Sequence, residues 1–280
     1  MKTLNPPTGD STTLWTNIVN KKNLDSRKKL LAKKTLIEGR YRFYQSHAAK
    51  LDAMCSLDWS KEEEIKELLI SCFGNNVSFT DAKKALFSNV TKCPYCTINR
   101  PNTLDHYFDK ADYPEFSVFL PNLIPCCSEC NTAKGTKIFD TVKTRKYIHF
   151  YFDPIPSYQF LFVNFTFDSN SAIPKININL DFQEVTTDTS RIEKHFMELN
   201  LFQKIKDSIS DKLPTVIAEI SLYKGKPHSE VRNVLNLRYD SLVRTKGLNY
   251  WETCMFSGIL NSSDFIVKYV DFAVQDAVKP

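Results

Sequence analysis

Cys93-Pro-Tyr-Cys96, then Leu104-Asp105-His106-Tyr107, then Asn122-Leu-Ile-Pro-Cys-Cys127-Ser-Glu-Cys130-Asn131-Thr-Ala-Lys134-Gly135 are the pieces of one stretch, and their reading decides the fold. A thiolate metal site needs four sulfurs at tetrahedral corners, and a C-x-x-C turn aims two sulfurs at one ion. Cys93/Cys96 and Cys127/Cys130 supply two such turns, separated by enough chain for a β-hairpin. The spacing predicts a structural zinc site whose four thiolates leave no position for water or substrate. Cys126 is an adjacent competitor, but Cys127 gives the two-residue spacing to Cys130. Redox chemistry by one C-x-x-C fits poorly with two pairs around a polar stretch. Zinc binding, on the order of 10 kcal/mol, is expected to hold together a module too small to fold on its own core. Cys55, Cys72 and Cys254 sit among apolar neighbours and read as small core residues.

Between the two pairs lie the side chains that metal-assisted phosphodiester hydrolysis needs. A base must activate water, a divalent cation must stabilise charge on the leaving oxygen, and something must orient the base. His106 can be the base because imidazole titrates near neutrality. Asp105 and Asn131 are hard oxygen donors suited to Mg²⁺ or Mn²⁺. Asn122 can position the His106 ring, and Lys110 and Lys134 can contact phosphate.

Asp105-His106, Asn122 and Asn131, held between C-x-x-C pairs, resemble the HNH (ββα-metal) nuclease family. The string Leu104-Asp-His-Tyr, Lys110, Tyr113-Pro-Glu-Phe-Ser117, Asn122-Leu-Ile-Pro and Cys127-x-x-Cys130-Asn131-x-x-Lys134-Gly135 is similar to its zinc-stabilised bacterial branch. The resemblance covers about 45 residues and implies a hairpin followed by a helix. It implies His106 as general base, Asp105 and Asn131 as ligands of the catalytic metal, and Asn122 as the orienting group. The family's third letter is often His where Asn131 stands here, and Asp109 replaces a usual proline before Lys110. Ile148-His149-Phe-Tyr-Phe-Asp153 and Arg191-Ile-Glu-Lys-His195-Phe loosely resemble downstream segments of stand-alone bacterial HNH proteins. Some of those accompany an ATPase in anti-phage defence, the Septu type among them. The resemblance therefore implies DNA as substrate and an ATPase subunit as protein partner. The alternatives are a non-catalytic zinc module that binds nucleic acid and a self-sufficient restriction-type nuclease.

The rest of the 280 residues places this module. Hydrophobic residues at 42% and charged residues at 25% are ordinary for a soluble globular protein. The 7 glycines form no phosphate-cradling G-x-G-x-x-G or G-x-x-x-x-G-K loop, so any ATP would be bound by a partner. No apolar run is long enough to span a membrane. No signal peptide follows Met1, and eight cysteines without one point to metal binding in a reducing cytoplasm. Net charge is +5, concentrated between Lys21 and Arg42. That run could neutralise phosphates or form a solvated helix face.

The expected architecture is α+β, with a central ββα module flanked by N-terminal helices and a C-terminal strand-plus-helix region. Residues 1–90 form an arm, poorly ordered to about residue 15, and then helices, one started by a Ser60/Glu63 capping box and another at Thr80. Residues 91–140 are the cysteine-rich module. Residues 141–280 hold strands at Tyr147–Phe152, Tyr158–Phe167 and Ile176–Leu180, then helices from Thr189 and over Leu213–Leu222, Val231–Arg244 and Phe265–Val278. His149 and His195 lie in apolar contexts and read as core or interface residues, while His47 and His228 have no constellation around them.

Overall fold

Asp10-Ser-Thr-Thr is a helix-capping sequence, and helix α1 (Ser11–Asn20) starts there, with the Asp10 carboxylate accepting from the Thr12 amide. The computed structural model describes residues 1–74, 77–88, 90–168, 171 and 173–271. The expected loose arm is thus helical from Ser11, and its start is tied down. The Leu4 amide donates to Phe150 O at 2.8 Å, and the buried Met1 amino group donates to Asn249 O at 2.6 Å.

Helix α2 (Leu24–Leu31) is capped by Asn23, and α3 (Lys34–Ser46) buries Ile37, Tyr41 and Tyr44 along one stripe. Helices α4 (Glu63–Ile70) and α5 (Val77–Phe87) follow. No Ser60/Glu63 capping box forms. The Ser60 amide donates to Asp58 Oδ1 and the Glu62 amide to Trp59 O, so a local turn takes these groups before the helix begins. α5 is already helical at Val77, upstream of Thr80.

Strands β1 (Thr103–His106) and β2 (Leu123–Cys126) pair antiparallel, Thr103 opposite Cys126 and His106 opposite Leu123. Helix α6 (Ser128–Lys134) comes directly after β2. Strands β3 (Leu161–Thr166) and β4 (Lys175–Leu180) form a second antiparallel pair. Helices α7 (Thr187–Glu198), α8 (Leu201–Ser221), α9 (His228–Lys246), α10 (Trp251–Asn261) and α11 (Ser263–Asp271) complete the described chain. The fold is α+β, mostly helical with two small sheets.

Two compact units result. One comprises Thr3–Tyr95 and Asn99–Pro154; the other comprises Met1–Lys2, Cys96–Ile98 and the chain from Ile155 onward. In the first, Tyr44 of α3 meets Phe108, Phe116 and Phe119 edge-on at ring separations of 5.6, 5.1 and 5.0 Å. Those three phenylalanines lie in the long connection between β1 and β2. The N-terminal helices and the hairpin therefore share one aromatic core, and the hairpin does not depend on a metal alone.

Tyr147–Phe152 is a turn, not a strand. The Phe152 and Asp153 amides both donate to His149 O at 2.9 Å, and Asp153 Oδ2 accepts from the His149 amide at 2.8 Å. Asp153 is fixed in turn by the buried Arg145 guanidinium, at 3.1 and 2.9 Å. The local side chain-to-backbone bonds outcompete a ladder.

In the second unit, Leu161, Val163 and Phe165 alternate inward along β3, and α10 lies close against that strand at Gly258. Leu213–Leu222 is only the end of the longer α8, which runs through Pro214. The stripe Leu201, Ile205, Ile209, Leu213, Val216, Ile220 is buried on both sides of that proline, enough to offset its cost of about 3 kcal/mol. The expected last helix is seen as far as Asp271; its remainder to Val278 lies outside the described residues.

Candidate metal centre and active site

The Sγ atoms of Cys93, Cys96, Cys127 and Cys130 all lie within 4.8 Å of one another, and all four residues are buried. Such a cluster could hold a metal ion. In the first knuckle, Thr97 takes left-handed backbone at φ 60°, and the Ile98 amide donates to Cys96 Sγ at 3.5 Å. In the second, Cys127 stands at the N-cap of α6 and its carbonyl accepts the Asn131 amide. Cys126 belongs to β2, outside the cluster. Its Sγ lies 3.4 Å from Thr103 Oγ1, and burial pushes its thiol up to about 12. Among the other cysteines, Cys72 and Cys254 are buried as expected, but Cys55 is exposed.

The pleat of β1 sends neighbouring side chains to opposite faces, and the contacts of Asp105 and His106 follow that rule. Asp105, 3% exposed, accepts from Lys134 Nζ at 3.0 Å on Oδ1 and from Tyr95 Oη at 2.6 Å on Oδ2. His106 meets Phe73 edge-on at 4.3 Å, and its Nε2 lies 2.9 Å from Ser117 O. A carbonyl only accepts, so Nε2 carries the proton and Nδ1 keeps its lone pair. No residue among those described bonds Nδ1. Burial lowers the imidazole to about 4 against the support of Ser117 and Asp105, and the Lys110 charge lowers it further. The ring is therefore neutral at pH 7.

Asn122 does not touch the His106 ring, as had been expected from its chemistry. It is fully buried, accepting from the Phe108 amide and donating to Phe108 O, both at 2.9 Å, with a longer bond to Phe116 O at 3.5 Å. It braces the connection that carries Ser117, and the Ser117 carbonyl orients the ring. Asn131 is half-buried on α6; its Nδ2 donates to Thr103 Oγ1 at 3.3 Å, on the strand face that Asp105 shares. Its Oδ1 has no hydrogen bond among the described residues.

The two lysines part company. Lys134 was expected to reach phosphate, but it is buried on Asp105 and on His106 O, 3.0 Å from each. Lys110 is half-buried, 5.2 Å over the Phe73 ring on the His106 side. Four cations of the basic run are in ion pairs: Lys29 with Asp25 and Glu64, Lys33 with Glu62, Lys34 with Glu38, Arg40 with the buried Glu115. Buried His149 sits 2.9 Å from the Tyr44 hydroxyl, and His195 is fully buried. Ser117, Phe73 and Tyr95 are the site residues that sequence reasoning missed. A backbone carbonyl leaves no residue signature, and Phe73 lies 33 positions before His106. Tyr95 was in plain view inside the first knuckle.

Over 193 residues the chain is 27% identical to protein ea31 of Escherichia phage lambda, a match covering 64% of this chain and 65% of that protein. The chain thus spans just under two thirds of the phage protein's length. No family model and no solved structure matches the chain. Among the described residues, no helix is long and apolar enough to cross a membrane.

Proposed function

We propose that this protein is a metal-dependent nuclease of the HNH type that hydrolyses DNA phosphodiesters on a zinc-stapled ββα scaffold. The observation that carries the reading is the state of His106: ring anchored through Nε2 by Ser117, neutral, with Nδ1 open. A general base needs that arrangement. Its place at the end of β1, in a hairpin followed by a helix and beside a four-cysteine cluster, adds support. Zinc suits four thiolates better than a hard cation does.

Asp105 and Asn131 fit a Mg²⁺ or Mn²⁺ ion as donors. A carboxylate has about four acceptor sites, of which Lys134 and Tyr95 occupy two, and Asn131 Oδ1 has no hydrogen bond among the described residues. Such an ion, bound there, would stabilise charge on the leaving 3′ oxygen. His106 Nδ1 takes a proton from the attacking water. Lys110, beside His106, holds the incoming phosphate. The approaching anion also raises the imidazole from its low resting value, making it a better base. The products carry a 5′-phosphate and a 3′-hydroxyl. By resemblance, the chain works as the effector of an anti-phage system with an ATPase partner.

Plasmid cleavage by wild type and His106→Ala, with Mg²⁺ or Mn²⁺ and with EDTA, tests this while zinc content is followed. Cutting by wild type that is lost in the mutant and in EDTA is expected. A folded, zinc-loaded wild type that stays silent alone and with the products of its neighbouring genes would sink the catalytic reading in favour of a binding module.

A further inference from the structure

We propose that Tyr95 and Lys134 are positioning residues through which the two cysteine knuckles hold the Asp105 carboxylate in fixed orientation for a divalent cation. The inference rests on the nuclease reading of Asp105.

Each knuckle contributes one donor to the same carboxylate. Tyr95 lies between Cys93 and Cys96, and its hydroxyl donates to Asp105 Oδ2 at 2.6 Å. Lys134 lies one helical turn after Cys130 on α6, and its ammonium donates to Oδ1 at 3.0 Å. One donor on each oxygen fixes the tilt and the rotation of the carboxylate plane, so the remaining lone pairs point in set directions. Neither donor has freedom to drift. Tyr95 is wholly buried. Lys134 is buried, also bonded to His106 O at 3.0 Å, with the Tyr107 and Tyr147 rings 5.8 and 6.0 Å from its ammonium. Water is excluded from around Asp105, so these two groups replace its hydration shell. Partners of this kind that orient a metal ligand are often worth 10–100-fold in metal affinity.

A bare structural ion pair would need Lys134 alone. The tyrosine hydroxyl on the second oxygen, delivered from the opposite knuckle, is what a device for orientation adds. The arrangement also makes the cysteine cluster a precondition of the Asp105 geometry, since both donors are anchored beside its thiolates.

The test titrates Mn²⁺ into zinc-loaded full-length protein by electron paramagnetic resonance, with DNA cleavage measured alongside. The variants are Tyr95→Phe, which deletes one O–H at nearly constant volume, and Lys134→Met. Both are expected to keep stoichiometric zinc and to weaken Mn²⁺ binding by roughly 10-fold or more, with kcat falling while KM for DNA holds. Folded, zinc-loaded variants with Mn²⁺ affinity within about twofold of wild type would overturn the proposal, against the 10–100-fold range expected. Tighter binding by Lys134→Met would overturn its half, showing that Asp105 feels the lysine's charge rather than its grip. If Lys134→Met does not fold, Tyr95→Phe decides. Wild type that binds no Mn²⁺ sensitive to Asn131→Ala would instead defeat the nuclease reading of Asp105, and this inference with it. That outcome is distinct because it appears before any Tyr95 or Lys134 variant is measured.

Discussion

Removing the metal from the four-cysteine cluster, by a chelator or by Cys130→Ala, should open the two cysteine-bearing turns and α6 while leaving the N-terminal helices and the β1–β2 connection that packs on them standing. The four sulfurs lie no more than 4.8 Å apart, and without an ion they take up protons and have nothing to bind them to one another. Structural zinc in small peptides contributes roughly 10–16 kcal/mol, comparable with the entire stability of a typical domain at about 5–15 kcal/mol. The cysteine-bearing segments cannot survive that loss. The N-terminal helices do not share their fate, because their aromatic core at Tyr44, Phe116 and Phe119 involves no cysteine ligand. Limited proteolysis read by mass spectrometry, with far- and near-ultraviolet circular dichroism, measures the outcome. New cleavage near Cys93–Arg100 and Cys127–Lys134 is expected, with a weakened near-ultraviolet tyrosine signal and most helical signal retained. Cys126→Ala, outside the cluster, should keep its metal. A stripped protein with unchanged protease protection and unchanged Tm would refute the reasoning, as would loss of metal from Cys126→Ala.

Two further outcomes concern stability. Gly258→Ala puts a Cβ into hard contact with Val163 O, 3.0 Å from Val163 C and 3.2 Å from Phe165. Because the obstacle is β3 backbone, α10 must lift, and a loss of about 3 kcal/mol is expected, read as a Tm fall of several degrees; an unchanged melt would contradict the packing. Acid should destabilise the unit that carries His106 and His149. Burial holds His106 at about 4 and His149 well below 6.5, so below pH 6.5 the unfolded chain binds protons that the folded chain refuses. Stability is therefore full above that pH and falls as pH drops toward 4, by up to about 1.4 kcal/mol per pH unit for each histidine. Urea melts between pH 7 and 5 check this, and a flat profile would show that neither ring is buried neutral.

The cysteine cluster was legible because a metal knuckle is a local object: two residues of spacing fix two sulfurs, and no tertiary information is needed. The amphipathic helices were legible for the same reason. The strand expected at Tyr147–Phe152 failed because aromatic content says only that a segment is buried. What shaped it was Arg145 and Asp153, whose bonds to the turn were invisible as a pattern. The helix expected at Leu213–Leu222 was read short, since the buried stripe of α8 runs from Leu201 to Ile220 on both sides of Pro214.

The site was legible as a list of residue types and illegible as a division of labour. Asn122 was assigned to the His106 ring and Lys134 to phosphate, yet both are buried, Asn122 on the Phe108 backbone and Lys134 on Asp105 and His106 O. The cations of the Lys21–Arg42 run look alike in sequence, but Lys29, Lys33, Lys34 and Arg40 are held by acidic partners. Lys110 lies beside His106, its charge depressing the imidazole, and the half-buried Phe73 ring lies beneath it at 5.2 Å. One lysine neutralises one phosphate, which gives a weak salt dependence and little affinity on its own. On the nuclease reading, DNA affinity beyond that one contact must come from other cations or from a partner, and cleavage by the isolated chain should be limited by binding rather than by chemistry.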